Sequence, residues 1–575
     1  MRHLVDPQQN RLFDVFEGLI CPAAQRSISK GWQGVLRHGL LHTMPVAKLA
    51  RNFSPDFGAP TKELYSMAGL VFLADFFGWT AAEAAEHYML NLGVQYALNL
   101  EPGAAISSRT IERYQKLFRE EDLPAAIFAK VTEALTKLLE LDVSQQRLDS
   151  THVSSQMATF GCTKLMAVAI KRFLTQVRRH APALYDALPE ALRLRYEVAS
   201  SKLFTNPQDF DVRKQTRLHV AEDLHWIIAH FAAQPEITNR STYKMLVRIF
   251  GEQCEIVEER VALRKNTGGN RVQNPSDPDA TYDGRKGSGY QIQLSETCSA
   301  ENDVQLILAA LPQTACERDE AALEPILEQL RQREVRPQEL TADTAYGGDE
   351  NVQLAAAQGV ELIAPIPGCP PAGLSPNALT IDDFALDERT GQVDACPQSH
   401  APLRVQRDAE AGRTVVEMSA EVCAGCPVLA LCPIKKTRAG TYAVAFTDKE
   451  QRLAARRREQ ETAVFAERYA TRAGVESTNS GLKRRAGMKK LRVRGRGSVF
   501  RQLYHKVAGW NMVRAAASEK ARAWIAAQVA KCLGGWGSAQ RGLTCNAVLA
   551  PLDRLKRGPN RSATHGPDFL VALAA

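Results

Sequence analysis

Five short runs with strand character, at residues 144–155, 290–299, 306–313, 339–346 and 360–367, alternate with helical segments in an order that few folds accommodate. The first, SQQRLDSTHVSS, combines β-branched residues with polar alternation. A polar loop, KNTGGNRVQNPSDPDATYDGRKGSG (265–289), precedes YQIQLSETCS, and LILAALPQ follows as a third strand. EAALEPILEQLRQRE (320–334) then reads as an amphipathic helix, ELTADTAY as the fourth strand, GGDENVQLAAAQ as a helix and VELIAPIP as the fifth strand. The expectation is an α/β fold: a mixed five-stranded sheet with flanking helices.

Two stretches interrupt that order, a helical insertion at about 160–265 and a Cys-rich one, also rich in Pro and Gly, at about 368–445. Ahead of the sheet, residues 1–140 predict an all-helical domain that could contact DNA, with periodic segments at 63–77 and 123–141. There Thr80-Ala-Ala-Glu83 forms a capping box, and Ser107-Ser108 caps the segment RTIERYQKLFRE. The sheet-bearing stretch runs from 141 to 515, and 516–575 reads as a helix and tail. At 575 residues, one ordinary core is too little, which fits several domains or one domain with large insertions.

The opening MRHLVDPQQNRLFDVFEG has no basic and then apolar leader pattern, and no run reaches the roughly 18 apolar residues of a membrane span. A cytoplasmic protein with no membrane partner is expected, its twelve cysteines reduced. The net charge of +8 is modest, but its distribution is not. KRRAGMKKLRVRGRGSVFRQLYHK (483–506) holds ten Lys or Arg and no acid, and such a concentration of positive potential suits phosphate.

Candidate chemistry centres on acids. Asp149 lies near the end of the first strand and Asp343 in the fourth, and strand ends in an open sheet face a common crevice. Converging carboxylates can hold the divalent ions that run phosphoryl transfer without a nucleophilic side chain. A third acid, Glu476, lies in the predicted helix AERYATRAGVESTNSGLKRRAG. Tyr469, Arg472, Glu476 and Lys483 share one face of it.

The element order is that of the ribonuclease H-like fold. The spacing of Tyr469, Arg472, Glu476 and Lys483, with RLDSTHV, TADTAYGGDEN and GYQIQLSET as the regions before it, resembles the DDE transposases of bacterial insertion sequences, over roughly residues 60–515. The resemblance implies that Asp149, Asp343 and Glu476 form the catalytic triad and bind Mg2+ or Mn2+. It also implies that Tyr469, Arg472 and Lys483 contact DNA phosphates, and the basic run adds Arg484, Arg485, Lys489, Lys490 and Arg492 to the DNA-binding surface. The implied partners are double-stranded DNA, as terminal inverted repeats and target, and a second copy of the chain in a nucleoid-associated homodimer. The implied reaction cleaves a terminal phosphodiester and transfers the freed 3′-hydroxyl to target DNA. A transposase-derived DNA-binding protein without catalysis and a nuclease that only cleaves stay open as alternatives.

Cys423-Ala-Gly-Cys426, Cys432 and the upstream Cys396 supply four thiols in the second insertion, enough for a structural Zn2+, with Cys369 or His400 as substitutes for Cys396. His152 is an odd strand offset from Asp149, which places it on the opposite face.

Overall fold

The structure, a computed structural model, describes residues 1–9, 14–199, 202–204, 208–265, 268–368, 379–387 and 392–539. The central sheet uses β1 (Gln145–Val153), β2 (Gly287–Thr297), β3 (Ile307–Thr314), β4 (Glu339–Ala342) and β5 (Glu361–Ile363) in the spatial order β3-β2-β1-β4-β5. β2 runs antiparallel to β1 and β3, whereas β4 is parallel to both β1 and β5. The parallel steps need crossovers, and the helices Leu323–Gln332 and Asp349–Ala357 supply them. This mixed sheet is compatible with a ribonuclease H-like arrangement. A sixth short strand, Thr281–Asp283, pairs with the start of β2 inside what the sequence presented as polar loop.

β4 is shorter than its sequence pattern suggested. It ends at Ala342, and Asp343 caps a 3₁₀ turn, Thr344–Tyr346, by accepting the Ala345 N–H at 2.9 Å. A short acidic side chain that bonds its own downstream backbone competes with the sheet ladder and stops the strand. Gly347 then passes so close to the segment after β5 that an added Cβ would lie 1.9 Å from the Pro365 carbonyl oxygen.

The predicted caps form, the Thr80/Glu83 capping box for Ala81–Leu90 and Ser107 for Ser108–Glu120, and Glu63 caps the predicted helix Leu64–Phe77 as well. Leu64–Phe77 is buried nearly all round, against the long helix Arg496–Ala517 on one side. Gly509 makes that approach possible, since a Cβ there would sit 2.2 Å from Phe76. Across the same contact, buried Asp75 accepts from Arg501 at 2.8 and 2.9 Å and contacts His505 Nδ1 at 2.7 Å. Burial alone would raise the Asp75 carboxyl, but the Arg501 charge and the His505 contact hold it down at about 2. Residues Met1–Ile525 cluster as one compact unit.

Each insertion has a core of its own. The first, from Cys162 to Gln253, packs helices around Phe173, Phe231 and Leu246, and closes with the hairpin Cys254–Val257/Arg260–Leu263. The second folds a four-stranded sheet over Phe384, Val416, Met418 and Phe446.

One buried ion pair ties the sheet to the helix Gly474–Arg484. Arg147 on β1 and Glu296 directly opposite on β2 are paired at 2.6 Å, with a second contact from Arg147 Nε at 2.8 Å. The other oxygen of Glu296 accepts from Thr478 on the helix at 2.7 Å. Arg147 also donates to the Thr471 carbonyl at 3.2 Å, and Gly474 leaves room for its guanidinium, because a Cβ there would lie 1.9 Å from Nη1. Removing one member of such a pair strands the other charge in the interior. Glu296→Ala is therefore expected to lower unfolding stability by about 3–5 kcal/mol, measured by denaturant titration. A loss below about 1 kcal/mol would show that the pair does not anchor the helix.

Candidate active site

β1 and β4 run parallel with Arg147 beside Thr341 and Leu148 beside Ala342, so the next residues along, Asp149 and Asp343, emerge next to each other. Adjacent strands lie about 4.8 Å apart, close enough for two carboxylates to feel each other strongly. The Asp149 carboxyl is raised above the ordinary aspartate range, first by burial and further by the charge of Asp343, with Arg472 opposing both.

Two side-chain donors hold Asp149. Arg472 Nη2 reaches Oδ1 at 3.2 Å, and Asn479 Nδ2 donates to Oδ2 at 2.8 Å. Burial disfavours the Arg472 charge, yet Asp149, Tyr469 and Asp343 together push its pKa above the ordinary arginine value. Tyr469 is half-buried beside Arg472 and stacks on Phe465 with ring centroids 5.8 Å apart.

The segment expected to be one α-helix tightens in its middle. Ala463–Ala470 is followed by a 3₁₀ turn, Thr471–Ala473, before Gly474–Arg484 begins. At that turn the Thr471 carbonyl accepts from Arg147, 324 residues away in the chain, at 3.2 Å. Arg472 sits on that turn, and Glu476 in the first turn of the following helix, three residues before the buried Asn479.

Glu476 itself points outward. Its side chain is 74 % exposed, and it faces Arg472 Nη1 at 3.8 Å. One guanidinium thus stands between Asp149 and Glu476. Among the described residues, no group of three or more His, Cys, Asp or Glu side chains is arranged to hold a metal ion. The structure brings Asp149 and Asp343 side by side and links Glu476 to them through Arg472, not directly.

Behind the two aspartates lies a polar network that sequence reasoning missed. The Tyr346 hydroxyl donates to Gln293 Oε1 on β2, and Gln293 Nε2 donates to Asp319 at 2.8 Å. Lys286 pairs with the same Asp319 at 2.9 Å and donates to Ser150 at 2.9 Å. Tyr346 is pushed well above the ordinary tyrosine range, first by burial and then by Asp319, Asp343 and Asp149. His152 pairs with Gln291 in the β1–β2 register, on the strand face opposite Asp149.

The basic run divides. Residues 489–493 run alongside the continuation of β1: Ser154 N bonds Lys489 O at 3.2 Å, Leu491 N bonds Ser154 O at 2.8 Å, and Gln156 N bonds Val493 O at 2.8 Å. This places exposed Lys489 and Lys490 just past the strand that carries Asp149. Lys483 is half-buried at the end of the helix, and Arg484 and Arg485 are exposed. Arg492 is engaged by Glu83 at 3.0 Å and by the Gly78 carbonyl at 3.2 Å. Arg501 and Lys506 turn inward to the Asp75 cluster and to the Phe76 and Ala486 carbonyls.

Cys396, Cys423, Cys426 and Cys432 line one small cavity together with His400. All four are free thiols. Burial, and then the neighbouring sulfurs, raise the Cys423 thiol, and burial likewise raises Cys432. They surround the cavity without the arrangement of a bound ion. Cys369 lies outside the described residues.

Asn479, three residues past Glu476, was missed, because a lone neutral polar residue on a helix does not announce what it will touch. Arg147 and Glu296 carried no signal either, because a charged residue in a strand pattern reads as solvent-facing.

Residues 395–516 match the family model described as "Transposase DDE domain". The match takes in the Cys-rich sheet, the Arg472–Glu476 segment and the long helix, but neither Asp149 nor Asp343. No curated protein matches the chain. Among solved structures, the cryo-EM structure of a piggyBac transposase synaptic complex with hairpin DNA aligns over 68 % of this chain and 76 % of that one, at 8 % identity and a TM-score of 0.20. A superposition that loose carries no argument about fold. Through residues 395–516, the segment holding Glu476 and its flanking cations, the chain is similar to the DDE domain of transposases.

Proposed function

We propose that the chain is a transposase that binds the ends of an insertion sequence, cleaves DNA there and transfers the 3′-hydroxyl ends to target DNA. The observation that carries this reading is the placement of Asp149 on β1 beside Asp343, the first residue past the parallel strand β4, with Arg472 and Asn479 of the Glu476 segment docked on Asp149. That docked segment belongs to the region similar to transposase DDE domains.

The donor set is all oxygen, as Mg2+ or Mn2+ prefers, and two of the three proposed ligands emerge side by side, Asp149 buried and Asp343 half-buried. Asp149, Asp343 and Glu476 would hold the ions, which when bound activate the attacking oxygen and neutralise the leaving one. The protein's own contribution is positional. Arg472 already sits against two of the acids, and its guanidinium is suited to a DNA phosphate entering the same space. Tyr469 and Lys483 lie on either side of it in the chain, and the exposed Arg484, Arg485, Lys489 and Lys490 continue the cationic surface for the DNA backbone. Two copies of the chain would hold the two ends of the element.

Two measurements test this reading. With Mg2+ and DNA carrying the element's ends, Asp343→Ala should reduce cleavage by about a thousandfold, equivalent to several kcal/mol of transition-state stabilisation. Cleavage at the wild-type rate would leave a non-catalytic DNA-binding protein as the better reading, and cleavage without joining in the wild type would leave a nuclease. For the basic run, neutralising Lys489 and Lys490 together should flatten the log–log salt dependence of DNA binding by about two. Arg492→Ala should change it less, because Glu83 already balances that charge. Unchanged binding in the double variant would remove the run from the interface. For the four cysteines we propose a structural Zn2+. Metal analysis should then find about one zinc per chain, and chelation should melt the Cys-rich sheet; zinc-free protein with an unaltered melt would dismiss it.

A further inference from the structure

Asn479 is a neutral residue among the charges of Asp149, Arg472 and Glu476. It is only 8 % exposed, its Nδ2 donates to Asp149 Oδ2 at 2.8 Å, and its Oδ1 has no hydrogen-bond partner among the described residues. An apolar residue would fill this helix–sheet contact without leaving a buried oxygen unpaired, which is costly. Thr478, the preceding residue, already fastens the helix to β2 through Glu296, so a second anchor is not needed for docking alone.

The two oxygens of Asp149 are treated differently. Oδ2 is held by a neutral amide inside the helix–sheet contact, whereas Oδ1 faces the end of a long cation, Arg472. An amide cannot balance the carboxylate charge, but it can fix the rotation of the carboxylate and keep Oδ1 turned toward the side where a cation sits. Partners that orient a metal-binding carboxylate in this way typically change metal affinity by roughly ten- to a hundredfold when lost.

We infer that Asn479 is a positioning residue for Asp149, holding its carboxylate so that Oδ1 is presented to a divalent cation. The inference rests on the proposed role of Asp149 as a metal ligand.

The test uses the full chain without DNA and Mn2+ alone as the probe, with free Mn2+ read by electron paramagnetic resonance. Asn479→Leu keeps the volume and removes the donor; Asn479→His keeps an N–H at about the same place. Thermal melts confirm that each variant is folded. The expected result is Mn2+ binding weakened by about tenfold or more in Asn479→Leu and largely restored in Asn479→His, with DNA affinity in EDTA equal to that of the wild type. Wild-type Mn2+ affinity in a folded Asn479→Leu overturns the inference, as does an equal loss in the leucine and histidine variants. Asp149→Ala separates the two levels: if it leaves Mn2+ binding untouched, the metal role of Asp149 fails. If it abolishes binding while Asn479→Leu does not, only the role of Asn479 fails. Should Asn479→Leu not fold, Asn479→Ser provides the donor-shortened variant for the same comparison, with the same two outcomes.

Discussion

The Arg147–Glu296 pair is the interaction on which the site's geometry depends. It joins the two central strands and, through Thr478 and the Thr471 carbonyl, the segment that approaches Asp149. Burying both charges has a large desolvation cost, recovered only where geometry and extra hydrogen bonds are good. Here each partner has such bonds, and each of them leads to the same segment. The pair therefore acts more as a device for registry than as a source of stability, since an apolar contact could not fix where the helix starts. Gly474 completes it by leaving space for the guanidinium.

The charge balance of the site follows from the strand register. The carboxylates of Asp149 on β1 and of Asp343 just past β4 repel one another, and burial of Asp149 adds to the cost. Arg472 offsets part of it from the 3₁₀ turn, while Glu476, on the exposed side, keeps its contact with water. The resting arrangement is thus balanced from within the chain. Any stronger cation entering would compete with an arginine on a long, flexible side chain, not with a fixed scaffold.

Much of the sheet was legible because its strands obey simple patterns: β1, β2 and β3 lie within a few residues of where polarity alternation and turn signals put them. The helix caps were legible for the same reason, as side-chain oxygens at fixed offsets. The stripe of Tyr469, Arg472, Glu476 and Lys483 could be read from spacing, but its attachment to Asp149 through Asn479 could not. A neutral polar residue has no period of its own. Nor does a local sequence say that a lysine points inward, so Arg501 and Lys506 looked like the end of the basic run. Both are buried against the N-terminal helices. The sheet of the Cys-rich insertion escaped because its strands are short and half-exposed, with Pro and Gly close by.

Asn479 and the aspartate it holds are 330 residues apart in the chain. During synthesis at roughly 5–20 residues per second, about twenty to sixty seconds pass between the emergence of one and of the other. Contacts of such separation form late, after the loop-closure cost has been met. A nascent or prematurely terminated chain can carry both aspartates and still lack the segment that organises them. The order of translation thus keeps the Asp149–Asn479 arrangement from assembling on an unfinished polypeptide.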